Sequence, residues 1–283
     1  TEAIGVKNSS IDLGKGDDVF TISSSAFGFT SYLRRNLGSY DYSYNYQSSG
    51  SQSGEYSNSY RYSYPWWSYG RSYSGSYDSE WNYGYGYASS GSWSDNEDSW
   101  LLNTGIAKGA VNSTINTGEG DDNVSVTATA SSSATAIEDS EVSTGDGEDL
   151  IEVESTAESS DEASDEGVAK GLVDTTIDAG ADDDALLMEV TGETLAIGME
   201  NSTLNVGDSD DIIDVIVEAT NEEDGEAIGL SGSTISSGGG DDSIYVEVWG
   251  ESSAKAMVDS LIEAGDGDDY ITIDGEIENS TID

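Results

Sequence analysis

The chain has 283 residues, enough for one or two domains and a sizeable core, and carries 57 acidic against 9 basic residues with no histidine, a net charge of -48. Such a charge repels nucleic acid and demands counter-ions, either divalent cations or high external salt. Cysteine is also absent, which excludes disulfides and thiolate metal sites, and without histidine the usual transition-metal ligands and acid–base catalysts are missing.

No apolar run of about 18 residues occurs, so no membrane-spanning helix is expected. The chain opens on Thr1 with no visible signal peptide, as a processed form or an excerpt would. Residues 1–22 begin with TEAIGVKNSSID and lead into an acidic turn, Gly14 to Asp18, and an apolar pair, Phe20 and Ile22. This unit is the first of a series. The glycine that opens the turn recurs at Gly118, Gly145, Gly180, Gly207, Gly238 and Gly265, at spacings of 104, 27, 35, 27, 31 and 27. The base period is 27, and the longer intervals exceed it by 77, 8 and 4 residues. All three excesses fall between the apolar pair and the next A-x-G.

The longest excess places an insertion at residues 23–106. It holds 15 of the 17 tyrosines, five of the six tryptophans, the only proline, Pro65, and all four arginines, Arg34, Arg35, Arg61 and Arg71. Stretches such as SYDYSYNYQ and SYRYSYPWW put tyrosine at every second residue, which suits strands with an aromatic face and a small polar face. A low-complexity loop is the competing expectation, but disordered segments are poor in aromatics.

Residues 107–283 carry rungs two to eight. Aligned units give the consensus A-x-G-φ-x-N-S-T-φ-x-x-G-x-G-D-D-x-φ-x-φ, with φ apolar. One apolar column runs Val6, Ala110, Ile137, Leu172, Met199, Leu230, Met257, Ile277. A second runs Ile11, Ile115, Val142, Ile177, Leu204, Ile235, Ile262, Ile282. These columns stand five residues apart, an odd number, so a straight strand would put them on opposite faces. A corner at the intervening Asn-Ser would let both point inward. After each turn, pairs such as Val124/Val126 and Ile213/Val215 keep strand period. The fold expected is all-β, a parallel β-helix or β-solenoid with rungs of about 27 residues and one long Tyr-rich insertion.

The turns resemble the glycine- and aspartate-rich nonapeptide of RTX (haemolysin-type) calcium-binding proteins. The likeness is closest at Gly238 to Asp242, Gly265 to Asp269, Gly14 to Asp18 and Gly145 to Asp149. It departs at Asp182 and Ser209, which replace the third glycine, and at Thr117, which stands at the first. The resemblance implies Ca2+ held between stacked turns by carboxylates and backbone carbonyls. The metal-ligating set it implies here is Asp17, Asp18, Asp121, Asp122, Glu148, Asp149, Asp183, Asp184, Asp210, Asp211, Asp241, Asp242, Asp268 and Asp269. Calcium takes six to eight hard oxygens, and a column of unneutralised carboxylates would repel itself.

A secreted, extracellular or cell-surface structural protein is therefore expected. It would be calcium-stabilised and assemble with copies of itself into a filament or surface layer, by end-to-end stacking and by contacts of the aromatic insertion. The alternative is an adhesin or polysaccharide-binding stalk, with the insertion as binding surface. No catalytic residues are assigned and an enzyme is not expected, because the lysines are scattered singly and no base lies in an evident cluster.

Overall fold

The computed structural model describes residues 2–27, 105–158 and 167–283, and six strands between residues 31 and 101. The chain divides into two compact units, Thr1–Gly28 with Thr104–Asp283, and Phe29–Asn103.

The first unit is a parallel β-solenoid. Each full rung has three strands, as in rung two: Ile106–Val111, Thr114–Glu119 and Asn123–Ala130. Equivalent strands stack in register into three parallel sheets of eight, eight and seven strands. Rungs one to seven are complete, and rung eight contributes Glu276–Glu278 and Thr281–Ile282.

The expected apolar columns are the stacking columns. Val6 pairs with Ala110, which pairs with Ile137, and so on to Met257 and Ile277. Ile115, Ile177, Leu204 and Ile235 are fully buried, as are Leu186, Ile213 and Ile244 in the third strand. Each such side chain stabilises the fold by about 1.5–3 kcal/mol, but only because the rungs on both sides cover it. The end rungs have one neighbour, and there Ile277 and Ile282 are 46% and 42% exposed.

The odd spacing of the first two columns is resolved by a one-residue corner. Asn8, Asn112, Asp139, Asp174, Asn201, Gly232, Asp259 and Asn279 all have φ between 48° and 59°. Asn and Asp tolerate this left-handed region better than other side chains, so a single residue turns the chain without a loop. The following residue locks the corner to the next rung. The N–H of Ser113 donates to Ser140 Oγ at 3.1 Å, and Ser140 Oγ donates to the carbonyl of Glu138 at 2.7 Å. Thr175, Ser202, Ser233 and Ser260 repeat the arrangement.

Glycine is required where the first strand passes the third. A Cβ on Gly109 would lie 2.5 Å from both the Ala136 carbonyl and Val126 Cγ1. All insertions leave from one corner, between the third strand of a rung and the first strand of the next. The first rung continues past the expected limit at residue 22. Val19–Ala26 pairs with Asn123–Ala130 throughout, and Ser24 and Ala26 are buried. Rung two opens at Ile106.

The second unit is antiparallel. Ser31–Leu33 pairs with Ser99–Leu101, Ser39–Tyr40 with Gly91–Ser92, and Gly54–Tyr64 with Trp67–Tyr77, from Gly54↔Tyr77 to Tyr64↔Trp67. These pairings nest one within another, as in a long hairpin. The Tyr-x-Tyr stretch SYRYSY therefore lies in a strand. Arg34, Arg35, Pro65 and the segment 41–53 fall outside the described residues.

Candidate cation site

The acidic turn joins the second strand of each rung to the third. The fourteen carboxylates expected to act together form two columns with opposite environments. The first of each pair, Asp17, Asp121, Glu148, Asp183, Asp210, Asp241 and Asp268, is exposed. The second begins the inward alternation of the third strand. Asp122, Asp149, Asp184, Asp211 and Asp242 are no more than 3% exposed, and Asp18 and Asp269, on the terminal turns, are half-buried.

The inner carboxylates reach back along the stack. The N–H of Asp18 donates to Asp122 Oδ1 at 2.7 Å, that of Asp122 to Asp149 Oδ1 at 2.7 Å, and that of Asp149 to Asp184 Oδ1 at 2.9 Å. The N–H of Asp184 donates to Asp211 Oδ1 at 2.7 Å, that of Asp211 to Asp242 Oδ1 at 2.9 Å, and that of Asp242 to Asp269 Oδ1 at 3.0 Å. The outer carboxylates reach forward. Asp17 Oδ1 accepts from Asp121 N–H at 3.3 Å and Asp241 Oδ1 from Asp268 N–H at 2.9 Å. Such bonds form in five of the six gaps, the exception being that between rungs three and four, where Glu148 replaces aspartate. Each of those five gaps thus receives one inner carboxylate from above and one outer, exposed carboxylate from below.

These bonds satisfy Oδ1 of Asp122, Asp149, Asp184, Asp211 and Asp242. Oδ2 of Asp18, Asp122, Asp149, Asp184, Asp211 and Asp242 is buried without a hydrogen-bond partner. Six such atoms recur at one position of the repeat. A buried ionised oxygen without a partner costs several kcal/mol, so the groups resist ionisation. Burial, and then the neighbouring carboxylates Asp149 and Asp211, push Asp184 up to about 7, against the stabilising N–H of Asp149. Burial likewise raises Asp211 to about 6 and raises Asp149.

No family model, curated protein or solved structure matches this chain. What the ladder can do follows from its own atoms. The donors are all hard oxygens, which suit calcium and not a soft metal, and the Oδ2 atoms are buried without a hydrogen-bond partner. Among the described residues, no three carboxylates gather closely enough to hold an ion by themselves. The inner aspartates would supply one carboxylate oxygen each to a cation, with backbone carbonyls and water completing its shell.

Glycine at the turn is enforced by the stack. Gly118, Gly145, Gly180, Gly207 and Gly238 have φ from 92° to 113°, and a Cβ on any of them would lie 1.6–1.9 Å from the carbonyl oxygen of the glycine one rung before. Asp182 and Ser209 retain the positive φ of the glycines they replace, 79° and 106°. Ser209→Gly is expected to raise stability by about 1 kcal/mol through release of this strain, read as a higher midpoint in thermal denaturation.

Three features escaped the sequence reading. The missing first glycine of the nonapeptide is a core position: Thr117 and Thr144 are fully buried, and their Oγ1 atoms donate to the carbonyls of Thr144 and Ala179 one rung on, at 3.2 and 2.8 Å. Four of the five single lysines are paired. Lys15, Lys108 and Lys170 form ion pairs with Glu119, Glu138 and Glu200, and Lys255 Nζ lies 2.8 Å from Glu278 Oε2. The signal was present as a Lys–Glu spacing of 30 at Lys108 and Lys170, one rung plus three. The third is the outward face of the seven-stranded sheet, with four large apolar side chains at 40–59% exposure: Leu187, Ile212, Trp249 and Tyr270.

Proposed function

We propose that this chain is an extracellular structural protein, a β-solenoid stabilised by Ca2+ that assembles with copies of itself into a filament or surface layer. The observation that carries this reading is the column of six buried aspartate Oδ2 atoms without partners. Calcium supplies each with the positive charge and coordination that the protein does not. About six ions would reduce the net charge from -48 to about -36, so a saline medium rich in calcium fits best. That medium is outside the cell, where calcium sites of modest affinity stay filled. The aromatic insertion, which holds all four arginines of a polyanionic chain, is the docking arm between subunits.

The test is a titration with calcium and a chelator. Each site that is about a hundredfold above its Kd adds about 2.7 kcal/mol, or about 16 kcal/mol for six, so 10 mM calcium is expected to raise the melting midpoint by roughly 30 °C. Electron microscopy of the same samples is expected to show filaments or sheets in calcium that disperse in chelator. An unchanged midpoint would remove calcium from the reading, and single particles under all conditions would remove assembly.

A further inference from the structure

The outward face of the seven-stranded sheet is chemically lopsided. A groove of about 340 Å³ crosses it, walled by Glu152, Glu154 and Glu189 around Leu187, Asp214 and Ile216. Asp214 pairs laterally with Leu187 on one side and Tyr245 on the other, and the Tyr245 ring lies 5.8 Å from that of Tyr270. Beyond them Trp249 is 44% exposed. Every charged residue at the outward positions of this sheet is acidic. Asp214 is half-buried, its side chain makes no hydrogen bond or ion pair among the described residues, and burial raises its carboxyl above the usual range.

This combination of carboxylates beside flat aromatic rings is the complement of arginine, whose planar guanidinium pairs with a carboxylate while stacking on a ring. The solenoid has no arginine to offer, and four of its five lysines are already in ion pairs. The arginines of the chain lie in the insertion, and Arg61 and Arg71 stand on adjacent register pairs of its longest hairpin, Arg61↔Gly70 and Tyr60↔Arg71, which strand alternation sets on opposite faces, so that either face of the hairpin carries one arginine position. An isolated two-stranded hairpin is at best marginally stable and gains from packing on a surface. Its eleven-residue strands extend about 36 Å, and seven stacked strands extend about 29 Å from first to last, so the hairpin can lie along the whole sheet. The insertion leaves the solenoid at rung one, whereas the patch lies on rungs three to seven.

We propose that the outward face around Asp214, Leu187 and Tyr245 receives the hairpin 54–77 of a second copy of this chain, with one of its arginines, Arg61 or Arg71, on the carboxylates. The proposal rests on the reading of the insertion as an inter-subunit arm and names the surface on which that arm lands.

The experiment uses the full chain in calcium, with the photo-crosslinking residue p-benzoylphenylalanine at position 245 and an equal mixture of 15N-labelled and unlabelled protein. Cross-links from position 245 to residues 54–77 that join labelled to unlabelled chains are expected. Asp214→Lys is expected to weaken self-association by at least tenfold in sedimentation velocity and to abolish those cross-links, whereas Glu263→Lys, on another sheet, leaves both intact. Cross-links confined to one isotope would mean that each arm folds onto its own solenoid, and would overturn the proposal. Assembly without any cross-link to the arm would overturn this docking face while leaving the assembly reading in place. Monomeric wild-type protein by sedimentation would overturn both.

Discussion

In chelator, stability is expected to fall as the pH rises from about 4 to about 8, the reverse of the usual behaviour of carboxylates that form ion pairs. Burial raises Asp184 from the ordinary 3.8 to about 7 in the fold, and Asp211 to about 6. Between these values the folded chain binds more protons than the unfolded chain, so the slope of unfolding free energy with pH is negative. The stabilisation is complete below the unfolded value and is lost as the pH rises through the folded one. At about 1.4 kcal/mol per unit, Asp184 alone accounts for about 4 kcal/mol across the window. Repulsion within a chain of charge -48 acts in the same direction, so the ladder's share must be isolated. Asp184→Asn does this. The amide oxygen still accepts the Asp149 N–H now held at 2.9 Å, and no charge is buried. In chelator at about pH 8 the variant is expected to be more stable than the parent by about 2–4 kcal/mol, with a shallower pH profile. In calcium the order reverses, because the ion needs the ionised carboxylate and the amide supplies a weaker ligand. Thermal denaturation at four pH values, with calcium and with chelator, reads both effects. Parallel profiles for variant and parent in chelator would show that Asp184 is not a strained acid.

The sequence disclosed the core because its signal is long and periodic. Leu172, Met199 and Leu230 share no local motif, yet a 27-residue register places them in one column, and the fold stacks them there. The corner at Asn112 and its equivalents was legible for a geometric reason, since an odd spacing cannot keep two columns inside a straight strand. The end of the third strand was not legible. Ser24, Ala128 and Ser155 fill the core without being large or strongly apolar, so the hydrophobic pattern fades at Ile22 while the strand continues to Ala26. The carboxylate columns were legible as residues but not as orientations. Two adjacent aspartates look alike in sequence, and only strand alternation decides that Asp121 faces solvent while Asp122 is 2% exposed. Nor does the sequence say that Oδ1 of the inner aspartates will be taken by a backbone N–H of the preceding rung and Oδ2 by nothing.

The largest single-site loss is expected from Gly180→Ala. Two separate costs fall on this residue. Its φ of +113° lies where a β-carbon is strained, worth about 1–3 kcal/mol. The new Cβ would also stand 1.8 Å from the Gly145 carbonyl oxygen and 2.7 Å from its carbon. Those are backbone atoms, so no rotamer change can relieve the contact, and rungs three and four must separate at the turn. Separation pulls apart the Asp149 N–H and Asp184 Oδ1 that join the two rungs at 2.9 Å and disrupts the proposed cation site of that gap. A loss above about 4 kcal/mol is expected, in the range reserved for backbone and core disruption. Gly14→Ala provides the control for the first cost alone. It has a similar φ, +99°, but opens the stack, and a Cβ added there would meet no atom within 4 Å, so a loss of about 1–2 kcal/mol is expected. Because rungs are coupled mainly to their neighbours, hydrogen exchange in Gly180→Ala should rise most in the turns of rungs three and four, while that of rungs one and seven changes little. Equal losses in the two variants would place the cost in the turn conformation itself. A several-fold larger loss at Gly180 would place it in the close stacking of one turn on the next, the same stacking that orders the aspartate ladder.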